Sequence, residues 1–138
     1  MIILDASFIV KLILEEEGSE VAEKLFREWI KRGEHIITVD IALSETSNAL
    51  WKHYVLLRDI SLDIFQEAIN DLLELWNKLS VISTHEIIRE ALEVAIREGI
   101  TIYDSLYIAV AQYYTGALAT FDTKQREKAT RLGLKVLP

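Results

Sequence analysis

Residues 103–123 read YDSLYIAVAQYYTGALATFDT, and this stretch decides the fold. Residues 103–114 are apolar nearly all round, the pattern of a helix buried on every side by its neighbours. Gly116 ends that helix, and Ala117–Thr120 is a short apolar strand. Asp122 follows, and Thr123–Arg131 is a basic helix. Helix, short buried strand, helix is the repeating unit of an α/β domain with a mostly parallel sheet.

The same alternation continues outward. Met1–Leu4 is a β-branched apolar run ending at Asp5, which predicts a buried strand. A helix is expected over Ala6–Glu16, with Phe8, Ile9, Leu12 and Ile13 as its apolar stripe. A second is expected from Ser19, read as its cap, to about Lys31, closed by Gly33. His35–Val39 predicts a second strand, and Ile41 to Leu57 a long helix. A third amphipathic helix places Leu62, Phe65, Ile69, Leu72, Leu73 and Trp76 on one face. Val81–Ile82 is a short strand. The helix Glu86–Glu98 turns Ile87, Ala91, Leu92 and Ala95 inward, and Lys135–Leu137 is the last strand. One α/β domain over residues 1–138 is expected, with four or five short, mostly parallel strands and about seven helices.

Composition bounds the function. The 138 residues include no Cys, so disulfides and thiolate metal sites are excluded, and an intracellular, cytoplasmic setting is expected. No apolar run reaches the ~20 residues of a membrane span. The first five residues lack a basic region, so no secretory signal is expected there. Net charge is −7, the wrong sign for a nucleic-acid binder with a basic face. The charge is uneven, however. Residues 115–138 carry five basic side chains against Asp122 and Glu127, a local +3 that leaves −10 on the other 114 residues.

Ligands of open α/β sheets bind beyond the carboxyl ends of the strands. Asp5 follows the first strand directly, and Asp122 lies just past the strand at 117–120. Glu45 sits a turn into the helix after the second strand, among Ile41, Ala42, Leu43 and Ala49. Asp104 lies in the first turn of the most hydrophobic helix, where little solvent access is expected. Each acid has a plainer reading. Asp5 and Asp122 could cap the helices they precede, Asp104 could form a capping box with Thr101, and Glu45 could be a rim residue. Together, four acids at one edge would repel by about 3 kcal/mol per pair at ~5 Å. All-oxygen ligands without His or Cys point to Mg²⁺ or Mn²⁺ rather than zinc.

Four segments carry a resemblance: Ile2-Ile3-Leu4-Asp5-Ala6-Ser7, Ser44-Glu45-Thr46-Ser47-Asn48-Ala49-Leu50, Tyr103-Asp104-Ser105-Leu106-Tyr107-Ile108-Ala109-Val110-Ala111, and Ala119-Thr120-Phe121-Asp122. In this order and spacing the chain resembles the PIN-domain family, and within it the VapC-type toxins. The resemblance implies a metal-dependent endoribonuclease in which Asp5, Glu45, Asp104 and Asp122 bind one or two Mg²⁺ or Mn²⁺ ions. Asp5 and Asp104 would be the firmest ligands. Ser7 and Thr120 would orient carboxylates or water, and Lys124 and Arg126 would contact substrate phosphates. It also implies a small antitoxin partner and a homodimer. Tyr107–Ala111 and the Trp51–Leu57 end of its helix are candidate contact surfaces.

The competing enzymatic reading is a DNA-directed or structure-specific nuclease of related fold. A non-catalytic Mg²⁺-binding interaction module is the reading from another class. His35, His53 and His85 are expected at strand-edge, helix-surface and helix-entry positions. Trp29, Trp51 and Trp76 are expected in the core or an interface.

Overall fold

Strand β1 (Ile2–Leu4) occupies the centre of a five-stranded parallel sheet, and every other element is arranged around it. The computed structural model describes all of residues 1–138. The remaining strands are β2 (Ile36–Val39), β3 (Ser80–Ile82), β4 (Ala117–Ala119) and β5 (Val136–Leu137), in the order β3-β2-β1-β4-β5. Ile2 pairs with both Ile36 and Ala117. Beyond β1 the order runs outward through β2 and β3 on one side and β4 and β5 on the other. The boundary between β1 and β4 is therefore the topological switch point, where two successive connections diverge and leave a crevice.

All residues of β1, β2 and β4 are buried, whereas the edge strands β3 and β5 are partly exposed. Strands covered on both faces need continuous apolar runs, and Ile-Ile-Leu, Ile-Ile-Thr-Val and Ala-Leu-Ala supply them. Gly116 lets β4 approach β1: a Cβ there would fall 2.3 Å from Ile3 Cδ1. Seven α-helices join and cover the strands: α1 (Ala6–Ile13), α2 (Ser19–Lys31), α3 (Ile41–Trp51), α4 (Leu62–Trp76), α5 (Thr84–Glu98), α6 (Ile102–Tyr113) and α7 (Thr123–Arg131). Helix α6 lies against β1, β2 and β4 and pairs with α5, while α1 packs on α2, α3 and α4. Ser105 to Ala111 are all buried, as a helix apolar on every side requires. Phe8, Ile3, Leu4, Leu106, Ile108 and Leu118 are fully enclosed, each contributing roughly 2 kcal/mol of burial free energy.

Several elements depart from the sequence reading. Helix α1 stops at Ile13 rather than Glu16, because Leu14 turns inward and is buried. Ser19 does not cap α2; Gly18, at φ 91°, holds that position. The Ser19 hydroxyl instead donates to the Leu14 carbonyl (2.7 Å) and accepts from Glu16 N (3.0 Å), closing the α1–α2 loop. The helix expected to run to Leu57 widens into a π-helical segment, Lys52–Leu57, ended by left-handed Arg58 at φ 53°. In α4 the buried residues are Ala68, Leu72 and Leu75, and Leu62 and Leu73 face outward. In α5 Leu92 is exposed and Val94 is buried in its place. Trp29 is buried beside Phe8, ring centroids 5.3 Å apart, whereas Trp51 is 47% exposed.

Candidate active site

Asp5 is 4% exposed and serves as the N-cap of α1. Its Oδ1 accepts from Phe8 N (3.0 Å) and from the Ser7 hydroxyl (2.6 Å), and its Oδ2 accepts from the Thr120 hydroxyl. The two hydroxyls also tie the ends of β1 and β4 together. Phe121 N donates to Ser7 Oγ at 2.8 Å, and Asp122 N donates to Thr120 Oγ1 at 3.0 Å. Both hydroxyl protons are directed at Asp5. Burial nevertheless dominates and raises the Asp5 pKa to about 6, opposed by these hydrogen bonds and assisted by the negative charge of Asp122.

Asp122 caps α7, its Oδ1 accepting from Gln125 N at 2.8 Å. Glu45, on α3, is half-buried and accepts a 2.5 Å hydrogen bond from the Tyr107 hydroxyl of α6. Burial pushes the Glu45 carboxyl up, the Tyr107 bond opposes this, and the Asp104 charge adds to the rise. Burial and the Glu45 carboxylate raise the Tyr107 phenol far above its usual range, so it stays protonated and acts as the donor.

Asp104 lies in the first turn of α6 and donates its backbone N–H to the Thr101 cap (3.3 Å). Its side chain is 38% exposed, more open than its sequence neighbours suggested. Lys128 Nζ of α7 pairs with Asp104 Oδ2 at 2.6 Å, and Gln125 Nε2 donates to the Asp104 carbonyl at 2.8 Å.

These four acids meet in one cavity of about 220 Å³, with Ala6, Ser7, Tyr107 and Gln125 completing its walls. No lining residue is basic. Larger cavities lie elsewhere. One of about 250 Å³ between α3 and α4 is lined by apolar side chains and Ser47, and one of about 770 Å³ by residues of α1, α2 and α4 and their flanking loops. Neither includes a strand end at the switch point.

The donors fit a hard divalent cation: all are oxygens, and Asp5 is a buried carboxylate with no ion pair. No three acidic or histidine side chains are grouped closely enough to hold one ion between them. Mg²⁺-like ions are commonly bound through one or two carboxylates and several waters, so this arrangement suits them better than an all-protein cage.

The profile of the PIN domain matches residues 2–130. The chain belongs to the PIN-domain family. Ribonuclease VapC3 of Pyrobaculum aerophilum is 36% identical over 132 residues, covering 92% of this chain and 93% of that protein. A crystal structure from the same organism has a TM-score of 0.69 at 25% identity and covers 99% of this chain and 83% of its own. VapC20 of Mycobacterium tuberculosis, a sarcin-ricin loop cleaving toxin, has a TM-score of 0.67 at 20% identity, with 92% and 94% covered. VapBC2 of Rickettsia felis, solved on a DNA fragment from its promoter, has a TM-score of 0.67 at 18% identity, with 99% and 97% covered. The last two likenesses are of fold.

Within this PIN domain, all four acids singled out from sequence line the same cavity, and Ser7 and Thr120 both bond to Asp5. Lys124 is exposed on α7. Arg126 turns away from the carboxylates, its guanidinium donating to the carbonyls of Thr120 (2.8 Å) and Pro138 (2.7 Å). The Tyr107–Ala111 face is buried within the domain, whereas Trp51, Val55, Leu56 and Leu57 are exposed. Sequence reasoning missed Tyr107 as a donor, Gln125, and Lys128. For two of them the spacing carried a signal, since Tyr107 is three residues after Asp104 and Gln125 three after Asp122, one helical face in each case, whereas Lys128 carried none.

Proposed function

We propose that this PIN domain is an endoribonuclease that hydrolyses RNA phosphodiester bonds with one or two Mg²⁺ or Mn²⁺ ions held, directly or through water, by Asp5, Glu45, Asp104 and Asp122. The observation that carries the reading is the convergence of four carboxylates, two of them raised in pKa by burial, on a cavity at the sheet's switch point whose walls hold no basic residue. The near full-length relationship to a protein named as a ribonuclease supports RNA as the substrate class. A bound divalent ion supplies water of lowered pKa and neutralises charge on the scissile phosphate.

The chain's own residues prepare this site. Ser7 and Thr120 fix the rotamer of Asp5 and stabilise its ionised form through two hydroxyl protons. Tyr107 does the same for Glu45. Asp122 stands at the N-cap of α7, whose first-turn N–H groups it partly satisfies. Lys124 stands on the exposed face of α7 as a phosphate contact. Arg126 braces the β4–α7 turn against the C-terminal carbonyl and so sets the position of Asp122.

In its biological setting the protein is the toxin of a cytoplasmic toxin–antitoxin pair. Inhibition fits a small antitoxin that inserts a basic side chain among the carboxylates. The exposed Trp51, Val55, Leu56 and Leu57 supply an apolar surface for a homodimer.

The test supplies purified protein with single-stranded RNA and DNA of one sequence, in Mn²⁺ or EDTA. RNA cleavage that requires the metal supports the reading. Cleavage of DNA alone favours the DNA-nuclease alternative, and cleavage undiminished by EDTA contradicts the role of metal.

A further inference from the structure

Helix α7 turns one face toward the carboxylate pocket, where its cap and two of its residues act. Asp122 lines the pocket at the helix N-terminus, Gln125 lines it one turn on, and Lys128 reaches Asp104 another turn further. The contact with Asp104 is double. Gln125 Nε2 holds its carbonyl at 2.8 Å and Lys128 Nζ holds its carboxylate at 2.6 Å. Gln125 is 3% exposed and its Oε1 has no partner, so the amide is fixed by the Asp104 carbonyl rather than by two competing bonds. Lys128 is the only cation in an ion pair with any of the four acids, and its side chain is only 23% exposed.

We infer that Lys128 is the resident counter-cation of Asp104, which a divalent ion must displace, so that metal loading and release of the Lys128 ammonium are one exchange. The inference rests on the metal-site reading above. The ammonium occupies Asp104 Oδ2, and a divalent ion on either oxygen of the same carboxylate would lie close beside it, so the two cations repel. Lys is suited to such a role, because its flexible stem lets a point charge leave without disturbing the helix that carries it. Metal-free protein is thus spared part of the repulsion among its acids, and the affinity for the ion is lowered by the same interaction. Lys128 is therefore a positioning residue that tunes occupancy, and once released it is a mobile cation beside Asp104.

The experiment is calorimetric titration of Mn²⁺ into wild type, Lys128→Gln, Lys128→Arg, Arg131→Gln and Asp5→Asn, paired with thermal unfolding in EDTA. Lys128→Gln should bind Mn²⁺ about fivefold more tightly, from the upper range of a single part-exposed ion pair. It should also unfold about 3 °C lower in EDTA. These opposite signs separate the exchange from a structural role, which would weaken both. Lys128→Arg keeps the cation and should remain within about twofold of wild type. Arg131→Gln removes an equal charge from the next turn of α7 without touching Asp104, and should also stay within about twofold. Unchanged or weaker Mn²⁺ binding by Lys128→Gln overturns the exchange, as does an equal gain in Arg131→Gln. If wild type binds no Mn²⁺, or binds it as well after Asp5→Asn, the metal-site reading itself fails and the exchange with it. Asp5-dependent binding that is indifferent to Lys128 overturns the exchange alone.

Discussion

Asp5 and Asp104 line the same pocket, yet one is sealed beneath three hydrogen bonds with no cation near it, and the other is 38% exposed and paired with Lys128. Asp5 sits where two strands end, and the sheet register fixes it. Asp104 sits where two helices cross, and only side chains fix it. The strand side of the pocket stores electrostatic cost in metal-free protein, because burial opposes the Asp5 charge. The helix side has already offset that cost with a lysine. A divalent ion thus acts differently on the two sides, relieving a penalty at Asp5 and replacing a partner at Asp104.

The largest difference should emerge in the stability of metal-free protein. Asp5 has a folded pKa of about 6 against a usual 3.8, so the folded chain binds this proton more tightly than the unfolded one. Its contribution to stability is greatest below the unfolded value. It is lost as the pH rises from 3.8 towards 6, and the penalty is complete above that. The full shift corresponds to roughly 3 kcal/mol. Asp5→Asn removes the penalty but weakens the bonds from Ser7 and Thr120, so in EDTA the variant should be about 2 kcal/mol more stable than wild type near pH ~8. Near pH ~4 the gain should vanish. Denaturant unfolding at the two pH values measures it, and a destabilised variant at the higher pH would remove the contrast between the two sides.

Tyr107→Phe should have an intermediate effect. It leaves the half-buried Glu45 carboxylate without its donor and should cost about 1.5 kcal/mol near pH ~8, with less lost where Glu45 is protonated. A loss independent of pH would show that the hydroxyl does not act through the Glu45 charge.

Asp104→Asn should have the smallest effect, because its ion pair is part-exposed and screened. We expect a change below about 1 kcal/mol that shrinks further in high salt. A loss of several kcal/mol would mean that the first turn of α6 depends on this carboxylate more than the Thr101 cap suggests.

The same contrast explains what was legible in the sequence. Asp5, Asp122, Ser7 and Thr120 follow directly from short apolar strands, and a parallel sheet brings the ends of neighbouring strands to one edge. Helix α7 was bounded at Thr123–Arg131 from composition alone, since Asp122 and the basic run leave little choice. Partners across helices were not legible. Nothing local to Lys128 distinguishes it from Lys124 or Arg126, and only the rotation of α7 against α6 decides which of them meets an acid. Helix ends failed for a similar reason. Ser19 has the composition of a cap, but the carbonyl of Leu14, five residues earlier, takes its hydroxyl. The π-helical turn at Lys52–Leu57 has no compositional marker, and neither does the outward orientation of Leu73 and Leu92.

Whether the chemistry runs through the carboxylate pocket is decided by single-turnover cleavage of a single-stranded RNA in saturating Mn²⁺, comparing wild type with Asp5→Asn. The variant keeps the volume of the buried side chain and removes only its charge. A catalytic role for the Asp5 carboxylate requires a rate lower by at least about a hundredfold in the variant, with the folded state intact and more stable in EDTA. Cleavage by Asp5→Asn at the wild-type rate would contradict it, because the chemistry would then lie outside the carboxylate pocket.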